Sequence, residues 1–186
     1  MAKSEGRKVI IMDHVYAGSR FQAEELWHED YNTQYFSTLR TYHEQVIIEV
    51  VGHDHFADLR YHSSNNVCNL PDTDVKFDFH NLFVAAGVTP YDGSNPGVSK
   101  FEITSAGVPT NLHIEFLDLN ATYGKSSVSY SDAKFFSVDW ATSFGVTSLD
   151  AESLATFRKV LEADETYTLN YLVSKLGFNP NDKTQK

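Results

Sequence analysis

Two short apolar runs, each leading into histidine, most constrain how this chain can fold. Val9–Met12 and Val46–Val51 have the length and the β-branched content of buried strands. Between them, aromatic and aliphatic residues recur at three- and four-residue spacing, which predicts one face of a helix. The residues on this face are Tyr31, Tyr35, Phe36, Leu39 and Tyr42. The order strand, helix, strand predicts a parallel pair in an α/β layer.

The rest of the chain predicts short strands followed by helices. Turn signals separate five strand-like segments, and we expect a hairpin turn at residues 105–110. The strand-like segments are residues 57–62, 81–86, 98–104, 112–119 and 134–138. Helices are expected near the end of the chain, opened by a cap in Thr147-x-x-Asp150 and stopped at Gly177. We therefore divide one domain into a strand-helix-strand part (8–62), a β-rich part (63–145) and closing helices (146–178).

Length and charge exclude several classes of protein. The 186 residues are of a size for one domain, and 15 Lys plus Arg against 25 Asp plus Glu give a net charge of −10. This net negative charge argues against sequence-independent binding of nucleic acid, because such binding needs a dense cationic surface. No apolar run approaches the roughly 20 residues that a membrane-spanning helix requires, so we expect no transmembrane segment.

The most informative polar segment is Gly52-His53-Asp54-His55, which follows the second strand. In extended backbone the two imidazoles would point apart, an arrangement that suits two metal ions better than one. His14 follows the first strand, and the carboxyl ends of parallel strands meet at one edge of a sheet. We therefore predict that His14, His53 and His55 converge there. The alternative is that these are ordinary loop histidines.

These segments resemble those of a known family. Asp13-His14-Val15-Tyr16-Ala17-Gly18 and Gly52-His53-Asp54-His55 resemble the last two metal motifs of the calcineurin-like metallophosphoesterases. Residues 81–97, with their Asn95-Pro96-Gly97 turn, and residues 140–145 are similar to the acid sphingomyelinase-like branch. The resemblance covers about residues 8–178 and implies the C-terminal part of an α/β, four-layer β-sandwich flanked by helices.

The resemblance also implies an activity and a ligand set. It assigns His14 and His53 to one divalent metal ion and His55 to a second, with zinc first and iron or manganese as alternatives. The implied reaction is hydrolysis of a phosphate ester, either a small molecule or a lipid headgroup. The motifs of the family's first half are not found in this sequence. We therefore expect an N-terminal portion of the same protein to complete the site, and the chain alone to be inactive.

Other residues are weaker candidates. Asp54 and Asp58 stand beside the histidines and would orient ligating imidazoles, unless they are simply solvated. Tyr16 and Tyr91 lie in segments expected to reach the edge of the substrate site, unless they anchor loops by packing. Asn120 begins a glycosylation sequon in an expected loop, and the resemblance implies a secreted or lysosomal parent protein.

The sequence also bears on two other classes of protein and on the edges of the leading strands. A non-catalytic, β-rich binding or accessory module would retain the histidines without turnover. A one-site barrel of the cupin kind is disfavoured, because the glutamate expected a few residues after His-x-His is absent. If sheet neighbours are missing, the apolar side chains of Val9–Met12 and Val46–Val51 should be exposed or covered by self-association.

Overall fold

The computed structural model describes residues 5–19, 25–61, 81–90, 93–123 and 129–177. Within these ranges the protein is mixed α/β, with two sheets and five α-helices. The strands are β1 (Val9–Met12), β2 (Val46–Val51), β3 (Asp58–Tyr61), β4 (Asn81–Val84), β5 (Gly97–Ile103), β6 (Pro109–Leu117) and β7 (Phe135–Asp139). The helices are α1 (Glu29–Tyr42), α2 (Leu119–Tyr123), α3 (Trp140–Phe144), α4 (Ala151–Ala163) and α5 (Glu165–Lys175).

The first sheet has the strand order β1-β2-β4-β3 and confirms the predicted parallel pair. Met12 lies opposite Val50 in the β1–β2 register, and Val51 lies opposite Val84 in the parallel β2–β4 pair. β3 runs antiparallel to β4. Three parallel strands therefore end at the same edge of this sheet, and β3 begins there.

The second sheet is antiparallel, in the order β5-β6-β7. The hairpin turn between β5 and β6 is shorter than predicted, because Pro109 already pairs with Ile103. Gly107 adopts a positive φ of 79° in this turn. β6 ends at Leu117, because the Asp118 side chain accepts a hydrogen bond from the Ala121 amide and starts α2.

Helix α1 turns most of its predicted face towards the protein: Tyr35 and Phe36 are half-buried and Leu39 is buried, so only the two end positions differ from the prediction. Tyr31 and Tyr42 are exposed, whereas Asn32 and Leu39 are buried. Asn32 sets the rotation of the helix: its side-chain amide donates to the Trp27 carbonyl, and its side-chain oxygen accepts from the Gly18 amide. Asn32, whose side-chain amide is hydrogen-bonded through both its nitrogen and its oxygen, thus lies on the inward face in place of the exposed tyrosines.

One apolar cluster joins the two sheets and the C-terminal helices. Its buried members include Ile48 and Phe83 from the first sheet, Ile114 and Phe116 from the second, and Trp140. Leu154, Phe157 and Tyr171 bring α4 and α5 onto the same cluster. The two sheets therefore pack face to face, with the C-terminal helices closing their common core.

The other face of the first sheet carries a smaller cluster and a buried carboxylate. Tyr16, Val51, Leu82 and Val84 are buried together there. Glu49, within β2, accepts a 2.9 Å hydrogen bond from the Tyr35 hydroxyl on α1. Burial and the neighbouring Glu49 raise the pKa of Tyr35 well above its usual range, so this hydroxyl remains a donor.

Strand β1 forms one edge of the first sheet and exposes apolar side chains, which was the expectation for both leading strands. Met12 is 81% exposed and Ile10 is 46% exposed. The expectation does not hold for β2, whose side chains are buried or half-buried between β1 and β4. Self-association through this edge stays a prediction. Among the residues described, no helix combines the length and apolar character needed to cross a membrane.

Helix α4 is capped by the last residue of the predicted Thr147-x-x-Asp150 motif and not by its threonine, because the helix begins at Ala151. Asp150 is its N-cap and accepts a 2.8 Å hydrogen bond from the Ser153 amide. Replacing Asp150 with alanine should lower the free energy of unfolding by about 1 kcal/mol at neutral pH, since an amide at the start of the helix loses its partner. Urea denaturation measures this difference, and Asn at position 150 should retain most of the stability because it also caps helices well.

The same variant should show a pH dependence. Burial alone would raise the pKa of Asp150, but hydrogen bonds with Ser153 and Ser148 outweigh it and hold the pKa below its usual value. The stabilisation by the ionised carboxylate is therefore present above the ordinary pKa of about 4 and lost as the pH falls through the lowered folded value. The gap between wild type and Asp150→Ala should narrow in acid; a constant gap from pH 7 to pH 2.5 would contradict this account.

Candidate functional site

The loops after the parallel strands meet at one edge of the first sheet. His14 follows β1, His53 and His55 follow β2, and Gly87 follows β4. Backbone hydrogen bonds tie the loops together: the Gly52 amide donates to the His14 carbonyl at 3.1 Å, and the Gly87 amide donates to the His55 carbonyl at 3.0 Å. This is the edge at which open α/β sheets bind their ligands.

His14 and His53 lie in direct contact. Their ring centroids are 5.5 Å apart and their planes are inclined by 80°. Gly52 leaves room for the His14 ring, because a Cβ there would stand 3.1 Å from the Nδ1 atom of His14 and the ring would have to shift by a few tenths of an ångström. The structure therefore brings together the two histidines that the resemblance assigns to a single metal ion.

The backbone at His53 and His55 is not extended, so the predicted conformation of this segment is wrong. Both residues adopt positive φ angles, 76° and 63° respectively. The left-handed region is uncommon for residues other than glycine, and each such residue costs on the order of 1 kcal/mol or more. Two of them flank Asp54, which is fully buried. The contacts of the surrounding residues must offset that cost.

His55 is oriented by the loop that follows β4. Its Nδ1 atom lies 3.1 Å from the Thr89 carbonyl oxygen. Because a carbonyl oxygen only accepts, Nδ1 carries the proton, and in the neutral ring the lone pair is on Nε2. A backbone carbonyl that fixes the tautomer in this way is a common partner of metal-ligating histidines.

The three histidines do not form one joint ligand set. Over the ranges that the structure describes, no group of three or more His, Cys, Asp or Glu side chains is arranged to hold a metal ion. What the structure supplies is a contacting His14–His53 pair and a separately oriented His55.

Asp54 and Tyr16 form a buried pair instead of facing solvent or substrate. The Tyr16 hydroxyl donates a 2.6 Å hydrogen bond to Asp54, and both side chains are almost completely buried. Burial and this hydrogen bond raise the pKa of Tyr16 well above its usual range, so the hydroxyl stays protonated. Tyr16 is therefore an internal anchor of the loop after β1, and its expected position at the edge of the substrate site is wrong.

Asp58 ties β3 to the C-terminal helix. Its carboxylate accepts a 3.0 Å hydrogen bond from the Tyr171 hydroxyl and pairs with the Lys175 amine at 2.7 Å. Burial raises the pKa of Tyr171 well above its usual value. Neither Asp54 nor Asp58 is simply solvated, and the contacts of Asp58 join secondary-structure elements.

Two remaining candidates have different outcomes. Tyr91 lies outside the described residues. The sequon at Asn120 falls in helix α2, so the expected loop is wrong there. Asn120 itself is exposed, but Thr122 is buried and its hydroxyl accepts from the Lys134 amide at 3.1 Å.

Arg60 was not among the residues predicted from the sequence. This residue of β3 has its guanidinium carbon 4.5 Å from the ring centroid of Tyr16 and pairs with Asp54 at 3.4 Å. The one signal in the sequence was an arginine in a strand-like segment that contains Asp58 and follows Asp54. A sequence pattern does not show which loops such an arginine will reach.

No protein-family model matches the chain, and no characterised protein matches its sequence significantly.

Proposed function

We propose that this chain supplies the C-terminal half of a dinuclear metal site in a phosphoric ester hydrolase of the calcineurin-like, acid sphingomyelinase-like kind. The observation that carries the proposal is the contact between His14 and His53 at the carboxyl edge of parallel strands. The face-to-face packing of two sheets, with helices closing their core, supports the corresponding four-layer sandwich.

The donor set fits such metal ions. Imidazole nitrogens bind zinc, iron and manganese, and His14, His53 and His55 provide three of them at one sheet edge. His14 and His53 would hold one ion and His55 the other. When bound, a metal pair polarises the phosphoryl oxygens and lowers the pKa of a bound water. The resemblance implies that the remaining ligands, including a bridging carboxylate, come from motifs that this sequence lacks.

The chain's own residues prepare the imidazoles. Thr89 fixes the tautomer of His55 through its carbonyl oxygen. Gly52 leaves room for the ring of His14. The hydrogen bond from the Gly52 amide to the His14 carbonyl oxygen joins the two loops. Because histidine binds metal only when neutral, affinity should fall in acid as protons compete for these nitrogens. The substrate would be a phosphate ester, either a small molecule or a lipid headgroup.

Zinc titration of the full 186-residue chain tests this proposal. We expect zinc to perturb the ring signals of His14, His53 and His55 in ¹⁵N–¹H spectra recorded near pH 7. His14→Ala should weaken binding by at least about tenfold, since it removes one of two contacting ligands. Isothermal titration calorimetry supplies the affinity.

His43→Ala is the matched control. His43 is exposed and precedes β2, at the opposite end of that strand from His53, so its removal should leave zinc affinity unchanged. Equal losses from both variants, or no response of the three rings, would count against the proposal and favour a non-catalytic binding module. The chain alone should hydrolyse no p-nitrophenyl phosphate, because the motif that the resemblance implies as the source of the bridging carboxylate is not found in this sequence.

A further inference from the structure

Arg60 stands between the two loops that carry the histidines. From β3 its guanidinium extends to the loop after β1. There it donates a 2.6 Å hydrogen bond to the Ser19 carbonyl oxygen and lies over the Tyr16 ring. The same group pairs with Asp54 in the loop after β2 at 3.4 Å, and its Nε lies 3.5 Å from Asp58. One side chain therefore contacts both loops and its own strand.

The contacts of Arg60 fall next to the proposed ligands. Tyr16 is two residues beyond His14, and Asp54 lies between His53 and His55. The Tyr16 hydroxyl and the Arg60 guanidinium share the same oxygen of Asp54, Oδ2. A displacement of Arg60 thus reaches both loops at once, through residues that are buried.

The network also explains how the unusual backbone of the second loop persists. His53 and His55 both have positive φ angles, and the residue between them points into the protein and is completely buried. Burying a carboxylate costs free energy unless it is paired or hydrogen-bonded. The pairing of Asp54 with Arg60 and Tyr16 holds Asp54 inward, and the flanking histidines are thereby set at the surface of the sheet edge.

We propose that Arg60 and Asp54 are positioning residues that set the separation of the His14 and His53 rings. The consequence for metal affinity rests on the proposed function, whereas the ring separation itself does not. Arg60 acts as a fork with several directed donors, which a lysine does not reproduce. Arg60 contacts one buried residue in each histidine loop, Tyr16 and Asp54, and the proposed role requires no contact of Arg60 or Asp54 with the metal or the substrate.

The test compares Arg60→Gln with wild type in the full chain without metal. Wild type should give a nuclear Overhauser cross-peak between the ring protons of His14 and His53, which lie in contact. Arg60→Gln should lose that cross-peak and shift both ring signals, and zinc affinity should fall about 10- to 100-fold. Arg60→Lys should not restore either readout. Arg158→Gln is the control, because Arg158 pairs with Glu162 on the surface of α4.

Tyr16→Phe keeps the test decisive if Arg60→Gln fails to fold. It removes only the hydroxyl that bonds Asp54, and we expect it to shift the His53 ring signals and weaken zinc binding several-fold. An unchanged cross-peak and unchanged ring signals in folded Arg60→Gln, or in Tyr16→Phe where Arg60→Gln does not fold, would overturn the proposal. A wild type that binds no zinc, together with variants that lose the cross-peak, would refute the proposed function and support the positioning role.

Discussion

Replacing Trp140 with alanine should lower the free energy of unfolding by about 3–5 kcal/mol. Trp140 is 2% exposed at the start of α3 and contacts the rings of Phe83, Phe144, Phe157 and Tyr171. Its removal leaves a cavity where both sheets and the C-terminal helices meet, and little of that space can close because each neighbour belongs to a different element.

Urea denaturation followed by circular dichroism measures this loss. Phe135→Ala is the control: Phe135 lies in β7, close to Trp140 in sequence, but it is 61% exposed. Its replacement should change the free energy of unfolding by less than about 0.5 kcal/mol. Equal costs for the two variants would mean that Trp140 is not at the junction of a shared core.

Even the single methyl group of an alanine at position 87 should disrupt the site. A Cβ on Gly87 would stand 2.9 Å from the Cα atom of His55, a backbone atom that cannot rotate away. Gly87→Ala should therefore cost about 1–3 kcal/mol of stability, as overpacking typically does. It should also displace the His55 ring from the Thr89 carbonyl and, under the proposed function, weaken the response of that ring to zinc.

The neighbouring Val88→Ala serves as the control for this substitution. Val88 is 76% exposed, so its shortening should leave both stability and the His55 ring signals close to wild type. Thermal unfolding and histidine-ring spectra give the two readouts. If Gly87→Ala matches wild type in both, the close approach of the β2 and β4 loops does not hold His55.

Local patterns predicted the parallel pair and its helix well. The β-branched runs at Val9–Met12 and Val46–Val51 do form strands, and the intervening periodicity does form a helix. Parallel pairing follows from these elements, because a helix that crosses between two strands returns the second strand in the same direction as the first. The meeting of His14 and His53 at one edge was therefore predictable.

Two features could not be predicted in the same way. They are the residues of α1 that face the protein and the bounds of β6, which spans Pro109–Leu117 and not 112–119. Hydrophobic periodicity predicted an inward face that included Tyr31 and Tyr42. In the structure both are exposed, whereas Asn32 is buried and hydrogen-bonded to Trp27 and Gly18. A polar side chain becomes an inward anchor only when its partners are brought within hydrogen-bonding distance. Those partners are in a loop whose path depends on the whole fold.

The sequence by itself predicted most of the strands, the helix between β1 and β2, the parallel β1–β2 pair and the histidines that follow its strands, because these depend on short-range periodicity and on a crossing helix that returns the chain in the same direction. It did not predict the short helices α2 and α3. Only the tertiary structure decided that His53 and His55 take left-handed backbone, that Tyr16 is buried and that Arg60 joins both loops. The physical reason is that a buried charge and strained dihedral angles persist only where distant residues offset their cost, and those residues become neighbours only on folding.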